Sequence, residues 1–317
     1  MTSGSQFVLV IGRNGQVSRS LDEVLTAAGH AVTVIGRPEI DLCDQPKLAR
    51  AIIAARPSIV INAAAYTAVD RAEDEPEIAA AVNAAGAETV ARAAAEAGAA
   101  IIHFSTDYVF DGEKHFPYVE TDPVSPTGAY GRSKLDGEKL VAAANPKHII
   151  LRTAWLFSPF GSNFAKTMLR LNQERPEIRV VDDQRGNPTY APDLADGVRR
   201  IIDRLSASPS LPGGFGVFHA VNAGETSWCG FAQAIVDGAG RRGAPHAAVR
   251  PITTRDYPTK ARRPAYSVLS TDKLAQIYGV RLRPWREALS DGLDRLVGPP
   301  LNSEVSQRLQ KDLGQSA

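Results

Sequence analysis

Tyr130 and Lys134 stand four residues apart in Tyr130-Gly131-Arg132-Ser133-Lys134, a spacing that sets both on one face of a helix. An ammonium near a phenol makes the phenolate easier to form, so this pair suits proton transfer at a carbonyl or alcohol oxygen. Of the eight tyrosines only Tyr130 has a lysine at that spacing. Ser105 and Thr106, upstream, close an apolar run, where their hydroxyls could reach the same carbonyl. As turn formers or helix caps they would do nothing catalytic. Earlier still, Gly12-Arg13-Asn14-Gly15-Gln16 follows the apolar residues 7–11. The order is glycine loop, hydroxyl pair, Tyr/Lys helix.

Those residues need a frame, and short apolar runs supply it. Residues 7–11, 31–35, 59–61, 100–104 and 148–151 read as strands buried in a parallel sheet. The stretches between them are long enough for helices, and 75–97 is alanine-rich, which favours helix and close packing on a sheet. Right-handed crossovers then give an α/β fold with a Rossmann-type doubly wound parallel sheet. After about residue 155 the rhythm changes. Helices are expected over 161–173 and 192–205 around a strand at 178–181, with turn-rich stretches such as 209–216. The division is therefore 1–155 for an NADP(H)-binding Rossmann domain and 156–299 mainly for a smaller α/β substrate-binding lobe, with segments exchanging between them. Residues 300–317 are a polar C-terminal tail.

At the glycine loop, Gly12 and Gly15 let the backbone turn sharply and approach a pyrophosphate, and the helix after them offers unpaired N–H groups. The sequence is G-x-x-G-x-x-S, with Ser18 where the dinucleotide fingerprint has its last glycine. Gly12, Asn14, Gly15, Gln16 and Val17 are the cofactor candidates here. The second strand runs into Gly36-Arg37, so a guanidinium stands where a 2′-phosphate would lie, which favours NADPH; NADH stays a second candidate, with Glu39 nearby. Asp41 and Leu42 continue that wall. Ala63, Ala64, Ala65 and Tyr66 leave the third strand with small side chains that would let a dinucleotide pass close to backbone, although a plain packed loop fits them as well.

The 317 residues are 44% hydrophobic and 22% charged, with 36 Lys and Arg against 35 Asp and Glu, a net charge of +1. That balance gives no field for nucleic acid, and Arg199-Arg200 and Arg241-Arg242 read as solvated faces. Cys43 and Cys229 are too few for a disulfide framework or a zinc site, which favours a reducing compartment. No basic and then apolar leader and no run of 18 apolar residues occurs, so cytoplasm is expected and a membrane span is not.

The chain resembles the extended short-chain dehydrogenase/reductases, and within them the dTDP-4-dehydrorhamnose reductase family. The likeness rests on residues 62–70, Ser105-Thr106-Asp107-Tyr108-Val109-Phe110, the Tyr130 to Lys134 segment, Arg152-Thr153-Ala154-Trp155, and Asn163-Phe164-Ala165-Lys166-Thr167-Met168. Asp183-Gln184, Pro188-Thr189 and Ala261-Arg262-Arg263-Pro264 continue it. The resemblance implies reduction of the C4 ketone of a dTDP-linked 4-keto-6-deoxy sugar in the last step of dTDP-L-rhamnose synthesis. It implies Tyr130 as proton donor, Lys134 as its charged helper and a ligand of the nicotinamide ribose, and Thr106 as holder of the carbonyl oxygen. Asp107 and Trp155 match positions beside the sugar; read alone, Trp155 suits the core equally. Arg262 and Arg263 could pair with the diphosphate or be ordinary exposed charges. Some members use Mg2+ at a glutamate-lined dimer contact, but Ser20 occupies the early position that could supply a carboxylate, so no metal site is assigned, Mg2+ dependence is left open, and the protein is expected to be a monomer or homodimer. Arg-Arg-Pro is followed by Ala265-Tyr266-Ser267 where the family often has asparagine, which leaves the nucleotide contact near Tyr266 open. Rival readings are another nucleotide-sugar reductase or epimerase, and a noncatalytic dinucleotide-binding regulatory subunit.

Overall fold

A computed structural model describes residues 5–300. Except for Pro300, the expected polar tail lies outside the described residues. In the first half, strands β1 (Phe7–Ile11), β2 (Ala31–Ile35), β3 (Ile59–Asn62), β4 (Ala100–Thr106) and β5 (His148–Thr153) alternate with helices α1 (Gln16–Ala27), α2 (Gln45–Ala55), α3 (Pro76–Ala80), α4 (Ala87–Glu96) and α5 (Ala129–Ala144). The read strands 7–11 and 31–35 match β1 and β2, while β3, β4 and β5 run on past their apolar residues into Asn62, Ser105-Thr106 and Arg152-Thr153.

The second half holds α6 (Phe164–Glu174), β6 (Glu177–Val181), α7 (Ala191–Ala207), β7 (Gly216–His219), α8 (Trp228–Gly240), β8 (Ala248–Ile252), α9 (Asp272–Tyr278) and α10 (Trp285–Val297). Strand β7 returns to the first half and pairs in parallel with β5, completing a six-stranded sheet of order β7-β5-β4-β3-β1-β2. Every pairing in it is parallel. Strands β6 and β8 form a separate parallel pair in the second lobe.

Alternation along buried strands sends side chains to two cores. Val8, Val10, Ile61, Ile102 and Leu151 face one side, where α1 and α7 cover them with Leu21, Leu25, Val198 and Ile202. Leu9, Ile11, Val60, Ile101 and Ile150 face the other, under α2 and α4. In edge strand β2, Ala31 and Thr33 are exposed and the other three residues half-buried, unlike the buried strand that its apolar run predicts. A third core, built on Phe157, Met168, Ile178, Phe231, Ile235 and Leu289, holds the second lobe together. Thus α7 and β7 serve the Rossmann sheet although they follow residue 155 in the chain.

The stretch read as one helix over 75–97 is helical, but α3 and α4 are joined by a π-helical segment at Ala81–Gly86. The extra residue per turn widens the helix there and aims Asn83 inward. Its amide donates to Tyr66 O at 3.0 Å and Ser133 Oγ at 3.0 Å and accepts from Tyr66 N at 2.8 Å. One buried side chain so ties the loop after β3 to α5. Among the described residues no helix is long and apolar enough to cross a membrane.

Candidate active site

Sheet order reverses between β1 and β3, the crevice where open α/β sheets receive ligands. Gly12 stands there with φ +120, a conformation that side-chain-bearing residues avoid, and a Cβ on it would meet Ala64 N and Ser18 Oγ at 3.0 Å. Helix α1 starts behind Gly15 with no side-chain cap, so its first N–H groups are free to receive an anion. Gln16 is turned away from the loop: its Oε1 accepts from Ser158 Oγ at 2.9 Å and Asn163 Nδ2 at 3.0 Å, linking the loop to the second lobe. Val17 is buried in the core.

Around the end of β2, Arg37 is exposed. The Asp41 carboxylate accepts from Cys43 N at 2.9 Å, and Leu42 is buried. Arg13, quoted in the loop but given no role by the sequence reading, lies at this end too, paired with Glu39 at 2.5 Å. Ala63 and Ala64 abut the glycine loop, as small side chains allow, and Ala65 follows. Tyr66 is held by Asn83 at its backbone and by Glu75 Oε2 at 2.6 Å from its hydroxyl.

Helix α5 carries the Tyr/Lys pair and is fixed at its start from outside. Glu73 accepts from Ala129 N at 2.7 Å, replacing the side-chain cap that Gly128 cannot give. A Cβ on Gly131 would lie 2.2 Å from Tyr108 O, so only glycine lets the helix close onto the loop after β4. That approach brings Tyr130 against the Tyr108 ring, edge to face at 5.7 Å, and next to Thr106 and Asp107. Burial raises the proton affinity of the Tyr130 phenol, the Thr106 hydroxyl opposes this, and Asp107 and Tyr108 add to the rise. The phenol is therefore a protonated acid at neutral pH.

Thr106 Oγ1 donates to Asp107 Oδ1 at 3.0 Å and accepts from Tyr108 N at 3.2 Å. Burial pushes the Asp107 carboxyl up to about 6, against hydrogen bonds from Ser267 and Thr106, and its Oδ2 has no hydrogen-bond partner. Lys134 is 2% exposed; its Nζ donates to Phe104 O at 2.6 Å and lies 3.5 Å from His103 Nε2. Burial draws this ammonium down to about 8, with Glu138 pulling the other way. The groups that act on the Tyr130 phenol are Thr106, Asp107 and Tyr108, and those that hold Lys134 are on β4 and one turn on along α5.

Beneath them runs a polar interior to which the sequence reading gives no role, except for Ser105, whose hydroxyl is expected at the carbonyl and is bonded to Glu138 instead. Arg152 grips Glu138 with two bonds, Nε to Oε1 at 2.9 Å and Nη2 to Oε2 at 2.7 Å, and Ser105 Oγ donates to the same carboxylate at 2.5 Å. His103 stands between Asn62 and Lys134. For Asn62, Ser105 and Arg152 the signal is the polar continuation of β3, β4 and β5 beyond their apolar runs; His103 lies inside its run and Glu138 on α5, where no such signal marks them.

The substrate candidates divide. Trp155, half-buried with φ +45, stacks on Trp228 with centroids 3.5 Å apart and planes 7° apart. Trp228 was not singled out from the sequence, because helix-start aromatics give no local sign of a distant partner. Arg263 reaches back across the lobes: Nη1 donates to Tyr108 Oη at 3.2 Å and Nη2 to Asp70 Oδ2 at 2.8 Å. Arg262 points to Glu113, 3.8 Å away, with both side chains exposed. Both arginines line a cleft of about 730 Å3 with Asp111, Arg185, Ala265 and Tyr266; Tyr130 and Lys134 are not in its wall. Tyr108, contacted by Arg263 and set edge to face with Tyr130, joins that cleft to the chemical end.

The sequence matches the family model described as RmlD substrate binding domain over residues 6–297. The dTDP-4-dehydrorhamnose reductase of Sinorhizobium fredii is 45% identical over 279 residues, which cover 88% of this chain and 94% of that protein. Among solved structures, a dTDP-4-dehydrorhamnose reductase from Clostridium acetobutylicum has a TM-score of 0.85 at 39% identity, covering 92% of this chain and 99% of its own. That of Bacillus anthracis, solved in complex with NADP, has a TM-score of 0.83 at 35% identity, covering 91% and 99%.

Proposed function

The chain belongs to the dTDP-4-dehydrorhamnose reductase family, and on that premise we propose that it reduces the C4 ketone of dTDP-4-dehydro-L-rhamnose to dTDP-L-rhamnose with Tyr130 as proton donor. The observation that carries this reading is the convergence of Tyr130, Thr106 and Asp107 at the carboxyl edge of β4, beside the glycine crevice. When bound, a reduced nicotinamide supplies the hydride that becomes the new C–H bond at sugar C4. Gly12, whose φ of +120 disfavours a side chain and whose backbone lies against Ala64, and the uncapped start of α1 fit its pyrophosphate. NADPH is the proposed reductant on the strength of Arg37 at the end of β2, with NADH the second candidate.

Tyr130 gives its phenolic proton to the ketone oxygen, which becomes the C4 hydroxyl. Burial favours the protonated phenol beforehand, so the phenolate left behind needs stabilising. Each pKa unit by which neighbours ease its formation is worth about 1.4 kcal/mol. Thr106 does part of this and holds the oxygen; Lys134, on the same face of α5, supplies positive charge. Asp107 offers an unpartnered Oδ2 to a sugar hydroxyl, Trp155 offers an apolar wall, and Arg262 and Arg263 in the cleft offer guanidinium donors to the diphosphate.

Mixing purified protein with NADPH and the ketone tests the reading. Reduced-nicotinamide absorbance is expected to fall only when ketone is present, with a product heavier than the substrate by H2. A steady absorbance with fresh ketone and either cofactor would rule the activity out.

A further inference from the structure

Asn62, His103 and Lys134 lie in one buried line, exposed by 1%, 1% and 2%. Strands β3 and β4 pair Asn62 with His103 in register. Asn62 Oδ1 accepts from Ala64 N at 3.3 Å, which turns the amide NH2 toward His103 Nδ1, 3.1 Å away. A ring nitrogen that accepts a bond carries no hydrogen, so a neutral His103 must bear its proton on Nε2. The ring is neutral, because burial and the Lys134 charge hold its pKa well below the usual range. Its Nε2–H therefore faces Lys134 Nζ at 3.5 Å. An N–H set against an ammonium is a mismatch of two donors. Set against a neutral amine it is a match, since the amine accepts from His103 and still donates to Phe104 O.

We propose that Asn62, through the tautomer it imposes on His103, sets how readily Lys134 gives up its proton. Both are positioning residues, and neither touches the reacting atoms. The groups facing Lys134 are Glu138 on its own helix, His103 and the Phe104 carbonyl from β4, and, behind Glu138, Arg152 from β5. Glu138 favours the charged lysine and the His103 N–H disfavours it. Asn62 owes its orientation to Ala64, the residue packed against Gly12. The wall of the glycine crevice is so connected by three hydrogen-bonding steps to the lysine behind Tyr130. The consequence for turnover rests on the proposed reductase reading; the tautomer does not.

Two readouts on the full chain test this. With 15N-labelled histidine, the His103 signal, assigned by its loss in His103→Gln, is expected to report a protonated Nε2 and a bare Nδ1. In Asn62→Asp the carboxylate accepts from Nδ1, and the proton is expected there instead. In ketone reduction, activity falls as pH rises and Lys134 loses its proton, and Asn62→Asp is expected to move that fall upward by about one pH unit. Asn62→Leu, which adds no charge, is expected to move it the same way by less and serves if the aspartate variant does not fold. A wild-type His103 protonated on Nδ1 would overturn the proposal, as would variants that lose activity equally at every pH. If the wild type turns over no ketone yet shows the Nε2 proton, the reductase reading fails and the tautomer assignment stands.

Discussion

Beneath α5, Glu138 and Arg152 are each only 5% exposed and share two hydrogen bonds of 2.9 and 2.7 Å, whereas at the cleft mouth Arg262 and Glu113 are 69% and 72% exposed and 3.8 Å apart. The first pair has lost its water and depends on its partner; the second keeps its water and depends on little. Arg263 lies between the two, with a quarter of its side chain exposed and a bond each to Asp70 and Tyr108. The contrast separates what holds the chemical end in place from what is left free to meet a nucleotide. In the proposed reading, the buried pair anchors α5, the helix that carries Tyr130 and Lys134, while the arginines of the mouth exchange their present partners for phosphate.

That contrast can be broken first where it is largest. Glu138→Gln leaves the Arg152 guanidinium buried without a counter-charge and is expected to cost roughly 3–5 kcal/mol in urea unfolding. A loss below 1 kcal/mol would mean that water reaches the floor. Next, Arg263→Ala removes a partly buried guanidinium and is expected to raise KM for the nucleotide sugar about tenfold or more, with a smaller change in kcat. Smallest of all, Arg262→Ala is expected to leave the unfolding midpoint unchanged and to raise KM by less than Arg263→Ala. Reversed order in these two would place the diphosphate at the outer arginine.

The sheet was legible because buried parallel strands are apolar on both faces, and five such runs fall on β1 to β5. What stayed hidden begins where those runs end. Asn62 and Arg152 are strand residues with polar side chains to which the sequence assigns no role, and the apolar pattern stops before them although the backbone pairing continues. His103 sits inside a run and reads as an interruption of hydrocarbon; its meaning comes from Asn62, 41 residues away, and Lys134, 31 residues away. Strand β7 escaped notice because its place beside β5 is set by tertiary pairing, and its four residues begin only where the turn-rich stretch 209–216 ends. Likewise the π-helical segment leaves no mark in an alanine-rich sequence, since the partners of Asn83 within it, Tyr66 and Ser133, lie 17 and 50 residues away. Glycine loop, Tyr/Lys spacing and arginine pair were legible because each is local.

The central claim is that the Tyr130 phenol delivers the proton that completes ketone reduction, and its most direct test is NADPH oxidation by Tyr130→Phe with dTDP-4-dehydro-L-rhamnose, measured beside NADPH binding by the same preparation. The account predicts turnover lower by about 10²–10⁴-fold with NADPH binding within about twofold of wild type. Turnover at the wild-type rate in a variant that lacks the phenolic hydroxyl would contradict it.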